Sequence, residues 1–499
     1  MTSRTASTVT RAERSLYAVR KDLQKTFPDP EDKDRLRYLA WALTYGACES
    51  GALSGSAGRH VRNRWHEALS ELWPWERWLQ YLRVAVLQLG ARARRAGRGR
   101  NADGRQPNAD FANRPDGRRD SGPRAFTLRE AKPELGVNVM GYLSAEMGVG
   151  EAVRATIEAA RAAGVGTSIQ KLSTKGLHRE EDERLTENAG DSYGVNVLHV
   201  NADQVAETIQ ILGPEVFAGK RNIGYWCWEL EEFPQEYTPA FGYFDEIWTL
   251  SRFSQESIAR RSNIPVVRIP PAVEVDEFPT RSRADFGIPK DAFVFLTTFD
   301  MLSVFERKNP TAVARAFLNA FGNDPTVHLV LKVNNAEKNL GAVSALREAS
   351  VEGAVSIIDR TLPRAEVSAL FQACDCLVSL HRAEGFGLTL AEAMYLGKPV
   401  IATAYSGNMD FTTLGNSFLV PYEIVPVPQG CDPYPPTAFW AEPSISHAVS
   451  QLRTVRADGE QRESIARAGQ RDVRKWLSRE AIGARIRERL KTIGSAAVG

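Results

Sequence analysis

The chain has little of what a secreted scaffold, a zinc protein or a membrane span requires. Its 499 residues include five cysteines, Cys48, Cys227, Cys374, Cys376 and Cys431, an odd number scattered along the sequence. That excludes a disulfide framework, and Cys374-Asp375-Cys376 is spaced too tightly for an ordinary zinc half-site and has no partner pair nearby. Reduced thiols of a cytoplasmic protein are the expectation. No apolar run approaches the length needed to cross a bilayer. The opening MTSRTASTVTRAERS lacks an apolar core, so no signal peptide is expected. Net charge is only +2, and no global field argues for a nucleic-acid partner.

What is present is ordinary for a globular protein: 43% hydrophobic and 25% charged residues, in a chain long enough for two or three domains. Residues 377–408 are its most informative stretch. Residues 377–380 are short and apolar, as a strand buried on both faces would be. His381, Arg382, Ala383 and Glu384 are expected to leave the core. Gly385, Phe386 and Gly387 then allow close approach of the backbone to a ligand. Leu388, Leu390, Ala391, Met394 and Tyr395 have helical spacing, Gly397 and Pro399 supply the stop, and residues 400–402 return to a sheet. Half of a βαβ unit results, with its loop at the carboxyl edge of the strands. Free N–H groups and the helix dipole there favour an anion such as a diphosphate. Glu384 precedes the turn and Glu392 lies on the second helical turn, so both carboxylates can accept hydroxyls along one cleft. Taken singly, each Glu reads more simply as a solvated residue; the whole assembly favours a site.

E-G-F-G-L-T-L-A-E followed by A-M-x-x-G-K-P-V-I-A-T resembles the E-x7-E signature of retaining glycosyltransferases of family 4, which have the GT-B fold. The resemblance implies that Glu384 contacts donor-sugar hydroxyls and Glu392 the nucleotide ribose. Gly385, Phe386, Gly387, Leu388 and Thr389 would complete the donor loop. Ser406-Gly407-Asn408 resembles the family loop that closes on the donor, which adds Asn408. In residues 300–310, basic side chains after the first strand of the second sheet would neutralise a diphosphate leaving group. Lys308 fits the family lysine there. The family arginine has no match, since its place falls near Leu302; either Arg307, close by, substitutes for it or the phosphate grip differs.

The first Rossmann-like half opens at Gly136 with a strand, then Gly148-Val149-Gly150-Glu151 and an alanine-rich helix. A lone G-x-G is a weak phosphate signal, and Val153 stands where a dinucleotide fingerprint has its third glycine, so a dehydrogenase is disfavoured. G-Y-L-x-A-E-x-G-V-G-E-A is similar to the cleft loop of bacterial polysaccharide glycosyltransferases, which brings in Gly148 and Gly150. His199 and Asn201 end a strand at 195–200; His199 fits a core position as well as a site position, and the family places a polar residue near here against the transferred sugar. Trp226, Trp228 and Glu229 lie on an aromatic strand ending in acids, a candidate acceptor surface, although burial in the sheet explains at least one face equally well.

The fold expected is therefore α/β, GT-B, with two doubly wound parallel-sheet halves. Residues 1–96 form a helical extension and 97–130 a disordered Arg/Gly/Pro-rich linker. Residues 131–280 are the acceptor half, 281–475 the nucleotide-sugar half, and 476–499 a helix returning to the first. The Trp- and Arg-rich segment 65–95 suits a packed bundle or contact with the inner membrane face. Residues 421–443 are Pro-rich and read as a surface loop. The expected activity moves a hexose of the mannose, rhamnose or glucose type from a nucleotide diphosphate sugar to a glycan or lipid-linked acceptor, with retention. No D-x-D motif stands out in the Rossmann-like halves, so neither metal nor cofactor is expected. A nucleotide-sugar epimerase of the same architecture and a non-catalytic scaffold binding partners through its helical arm are the alternatives.

Overall fold

A computed structural model describes residues 135–143, 148–172, 193–276, 281–348, 353–360 and 362–496. All belong to one compact unit, Gly122–Gly499. The extension, the linker and the proposed membrane-facing segment lie outside the described residues.

Two parallel six-stranded sheets follow one another along the chain. The first contains β1 (Gly136–Gly141), β2 (Gly166–Lys171), β3 (Val195–His199), β4 (Arg221–Trp226), β5 (Glu246–Thr249) and β6 (Val266–Arg268), in the spatial order β2-β1-β3-β4-β5-β6. Helices α1 (Gly148–Ala162), α2 (Val205–Leu212) and α3 (Arg252–Ala259) connect them. The second contains β7 (Phe293–Asp300), β8 (Val327–Asn334), β9 (Val355–Ile358), β10 (Cys376–Ser379), β11 (Val400–Thr403) and β12 (Phe418–Val420), in the order β12-β11-β10-β7-β8-β9. Its connections carry α4 (Phe305–Lys308), α5 (Pro310–Phe321), α6 (Leu340–Glu348), α7 (Arg364–Ala373) and α8 (Leu388–Tyr395). The strands expected from sequence alternation appear within a residue or two of their places. Central strands are apolar on both faces because helices cover both. Leu296, paired with Val330 on one side and Leu377 on the other, is 1% exposed.

Strand order reverses between β1 and β3 in the first sheet and between β7 and β10 in the second. At such a switch point neighbouring connections leave in opposite directions and open a crevice at the carboxyl ends. Each sheet therefore contributes two loops to one cleft: those after β1 and β3, and those after β7 and β10.

Residues 421–443 are not the surface loop expected from their prolines. They form an antiparallel hairpin, β13 (Tyr422–Pro426) and β14 (Phe439–Pro443), whose connecting segment turns inward. Trp440, Tyr434, Cys431 and Val427 bury themselves with Trp226, Trp228, Phe233 and Phe241 of the first sheet's side. Apolar side chains between the prolines supply enough buried area to overcome the loop-like composition.

Helices α9 (Ile445–Ala457), α10 (Gly459–Trp476) and α11 (Arg479–Ala496) complete the chain. The last packs on α1, with Ile482, Ile486, Leu490 and Ile493 in one apolar cluster with Ile157, Ala159 and Ala160. The two helices approach closely at Gly483, where a Cβ would stand 2.1 Å from the Ala159 carbonyl oxygen. Gly483→Ala should force them apart at a cost of about 1–3 kcal/mol, lowering the urea midpoint of the full chain. An unchanged midpoint would show that this approach is not constrained.

Candidate active site

The cleft has a volume of ≈ 470 Å³ and is lined from both sheets. At its centre lies the β10–α8 loop. Gly387, at φ +90°, sets the left-handed turn that starts α8 at Leu388, a conformation an L side chain rarely adopts. A second loop supports the first from below. The Gly407 N–H donates to the Glu384 carbonyl at 2.9 Å, and a Cβ at Gly407 would lie 2.0 Å from the Gly385 carbonyl oxygen. The Ser406 hydroxyl accepts from the Glu384 N–H at 2.8 Å. This double support fixes the course of the turn.

Glu384 sits in the cavity wall, its side chain 12% exposed, and Lys308 Nζ donates to its Oε1 at 2.5 Å. Arg307 stands 3.7 Å from Oε2 and 3.8 Å from Glu229 of the first sheet's side. The guanidinium also donates to the Ala383 carbonyl at 2.9 Å and lies over the Tyr434 ring, 5.9 Å from its centroid. Its Nε is buried with no hydrogen-bond partner. Tyr434, at the tip of the hairpin, donates its hydroxyl to Glu229 Oε2 at 3.0 Å. Five residues from four segments thus make one cluster across the cleft.

Burial pushes the Glu384 carboxyl upward, but Lys308 and Arg307 beside it win and hold it at about 2. It is therefore ionised at every physiological pH. Burial opposes the charge on Arg307, while Tyr434, Glu229 and Glu384 raise its pKa further.

Glu392 lines the same cleft one helical turn further along and is buried. Burial raises its pKa, and the Arg364 guanidinium, 2.5 Å from Oε1, counteracts that rise. One carboxylate oxygen is thus held by α7. Gly148, Gly385, Phe386, Gly387, Leu388 and Thr389 also line the cavity.

Other expected residues lie elsewhere. His199 is fully buried and stacks on Tyr225 at 4.3 Å, with no hydrogen-bond partner on either ring nitrogen. Burial lowers its pKa to about 3, and it does not line the cavity. Asn201, two residues on, does line it, because the chain leaves the sheet between them. Gly150 and Asn408 are buried behind the wall; Asn408 faces His381 at 3.1 Å and donates to the Thr403 carbonyl at 3.0 Å, so it braces the supporting loop. His381 is fully buried, rather than leaving the core after β10. Trp226 and Trp228 do not form an acceptor platform. They are 0% and 5% exposed, both packed against Phe233, and the Trp228 indole donates to the Glu232 carbonyl at 2.9 Å. Of that group, Glu229 alone reaches the cavity.

Two cations in the cavity wall escaped the sequence reading. Lys332, 2% exposed on β8, donates to Asn334 Oδ1 at 2.5 Å and to the Val333 carbonyl at 3.0 Å. A lone lysine inside the apolar run V-H-L-V-L-K-V-N was the available signal. Arg364, in the first turn of α7, had none. Leu302, where the family arginine would fall, also lines the cavity.

Residues 302–424 match the family model for glycosyl transferases group 1. This stretch is similar to that family's domain. It holds Arg307, Lys308, Glu384 and Glu392 together. Among curated proteins, a D-inositol 3-phosphate glycosyltransferase of Geodermatophilus obscurus is 29% identical over 150 residues, 28% of this chain and 33% of the relative. The chain thus matches about a third of that relative's length. Among solved structures, sucrose-phosphate synthase from Thermosynechococcus elongatus superposes with a TM-score of 0.55 at 16% identity, covering 73% of this chain and all (100%) of the other. The Anabaena HepE protein in complex with UDP and glucose gives 0.52 at 15% identity, covering 72% and 100%. At such identities the likeness concerns the fold, which is GT-B, and the matched stretch lies within its second half.

Among the described residues, no group of three or more His, Cys, Asp and Glu side chains could hold a metal ion. No helix among them is long and apolar enough to cross a membrane.

Because Glu384 has a depressed pKa, the cluster stabilises the folded chain fully above the ordinary carboxyl value of 4.5. That contribution fades as pH falls from there towards about 2. Lys308→Met should cost about 3–5 kcal/mol at pH 7 by stranding a buried carboxylate. Combining it with Glu384→Gln should recover most of the loss in chemical denaturation. A single variant as stable as the parent would contradict the pairing.

Proposed function

We propose that the chain is a retaining, metal-independent hexosyltransferase. It moves a sugar of the mannose, rhamnose or glucose type from a nucleotide diphosphate sugar to a hydroxyl of a glycan or lipid-linked acceptor in surface polysaccharide synthesis. The observation that carries the reading is the buried Lys308–Glu384 pair beside Arg307, set under a glycine turn at the N-terminus of α8.

The donor diphosphate sits between Lys308 and the N–H groups of residues 386–388, with Arg307 behind. These groups stabilise the charge that gathers on the leaving phosphate as the glycosidic bond breaks. Arriving phosphate oxygens compete with Glu384 for Lys308 and release one carboxylate oxygen to accept a donor-sugar hydroxyl. Glu392 holds the ribose through the oxygen that Arg364 leaves available. The bond from C1 to the phosphate oxygen breaks, the bond from C1 to the acceptor oxygen forms on the same face, and the acceptor proton passes to that phosphate oxygen. Charges balance without a protein nucleophile.

An epimerase would release free sugar or an altered donor without an acceptor. Asn201 and Glu229 line the same cavity as Glu384, and a transferase would use them to meet an acceptor.

The test is to incubate the full chain with UDP-, GDP- and dTDP-hexoses and a mixed panel of glycoside acceptors. Nucleoside diphosphate release and the anomeric coupling of the product are measured. One donor should turn over with retained configuration, and Glu384→Gln and Lys308→Ala should each lower kcat by about 10²-fold or more. An inverted product, or parent-like turnover in either variant, would defeat the assignment.

A further inference from the structure

Ser406 holds a backbone conformation that does not suit its side chain. Its φ is +72° and its ψ −143°. L side chains rarely adopt that region, which belongs essentially to glycine. Two other non-glycine residues have positive φ among the described residues, Asn309 and Asn335. Both lie in the left-handed helical region, which asparagine tolerates. Ser406 lies outside it and is buried. Its neighbour Gly407 has a steric reason to be glycine, since a Cβ there would collide with the Gly385 carbonyl. At Ser406 the backbone calls for glycine too, yet the chain keeps a hydroxyl.

That hydroxyl does something a glycine could not. It donates to the Tyr405 carbonyl at 2.6 Å and accepts the Glu384 N–H at 2.8 Å. Glu384 belongs to neither strand nor helix, so its N–H has no ladder or helical partner. Its carbonyl is taken by the Gly407 N–H. Both peptide planes flanking the Glu384 Cα are thus tied to residues 406 and 407, which sets the direction in which the carboxylate leaves the backbone. The segment around Ser406 is itself held firmly. Asn408 donates to the Thr403 carbonyl at 3.0 Å and to Thr412 Oγ1 at 3.3 Å, and its Oδ1 accepts from His381 Nε2 at 3.1 Å. Strain persists where the surroundings over-determine the backbone in this way. None of Ser406, Gly407 and Asn408 lines the cavity, so this segment acts through Glu384 rather than on a ligand.

We propose that Ser406 is a positioning residue: its hydroxyl aims the Glu384 carboxylate into the cleft, and the strained backbone that glycine would relieve is retained for that purpose. For what Glu384 does with a donor this rests on the transferase reading; it goes further in giving a residue outside the cavity a part in the reaction. Stability and activity then part company at this position. The carboxylate faces Lys308 and Arg307 from α4 and His381 from its own loop, with Glu229 and Tyr434 beyond Arg307. A displacement of about 1 Å within such a group lowers a rate by as much as about 10²-fold.

The experiment makes Ser406→Ala and Ser406→Gly in the full chain. Alanine keeps the strain and loses the hydroxyl, whereas glycine loses both. The urea midpoint of Ser406→Gly should therefore exceed that of Ser406→Ala, while kcat with the preferred nucleotide sugar falls about tenfold or more in both. Calorimetric binding of UDP, GDP or dTDP should not weaken in either, because Lys308 is untouched. A second readout does not depend on catalysis. The coupling between Lys308 and Glu384, taken at pH 7 from the denaturation of Lys308→Met, Glu384→Gln and their combination, should shrink when the cycle is repeated on Ser406→Gly. Parental kcat in Ser406→Gly overturns the proposal, as does an undiminished coupling. A Ser406→Gly midpoint no higher than that of Ser406→Ala overturns the strain. If Ser406→Ala fails to fold, rate and coupling in Ser406→Gly decide. If the parent binds no nucleoside diphosphate and transfers no sugar, the transferase reading falls, and the coupling still decides whether Ser406 aims Glu384.

Discussion

A carboxylate buried between two cations joins the parts of this protein. Glu384 belongs to the β10–α8 loop, Lys308 and Arg307 to α4 after β7, and Arg307 reaches on to Glu229 beyond β4. Tyr434 arrives from the hairpin and closes the cluster by bonding Glu229. None of these charges could be buried alone, because desolvation would exceed any local gain. Burying them together ties two switch-point loops, the opposite wall and the hairpin to one geometry. The cluster also holds Lys308 in the cleft wall beside the loop that starts α8.

The same cluster explains how ligand binding could be exchanged for internal pairing. Lys308 and Glu384 neutralise each other at 2.5 Å. On the proposed reading, a diphosphate would offer Lys308 a stronger partner and leave Glu384 available to a sugar hydroxyl, so the donor would bring its own charge compensation. Glu392 and Arg364 form a parallel pair further along α8, with one carboxylate oxygen engaged by the guanidinium. The cleft therefore presents two carboxylates held in place by cations, rather than two loose acids, and their separation follows from one helix. Each pair is preorganised by backbone features: the Gly387 turn, the supporting Gly407, and the start of α7.

The doubly wound sheets and the Glu384 loop were legible in the sequence. Short apolar strands between helices of regular spacing leave few alternatives, and two glycines with two glutamates at fixed spacing constrain one loop strongly. The misplaced residues failed for local reasons. His199 and Asn201 differ by two positions at the end of β3, and only the course of the chain beyond the sheet decides which meets the cavity. Trp226 and Trp228 read alike as a sugar platform or as core, and the hairpin that buries them lies some two hundred residues away in a segment whose prolines suggested a loop. Lys332 belongs to no motif, and only the fold shows that it is enclosed in the cleft wall. The absent family arginine at Leu302 is a real departure, and Arg307 and Lys332 supply positive charge around the same cavity.

The central claim is that the Lys308–Glu384 pair is a diphosphate site held closed by its own carboxylate. Calorimetric titration of the full chain with UDP, GDP and dTDP, in low and high salt, tests it most directly. At least one should bind at a single saturable site, weakening as salt rises, with Lys308→Ala abolishing the binding and Glu384→Gln tightening it by removing the internal competitor. No binding by any of the three, or unaltered affinity in Lys308→Ala, would contradict the account.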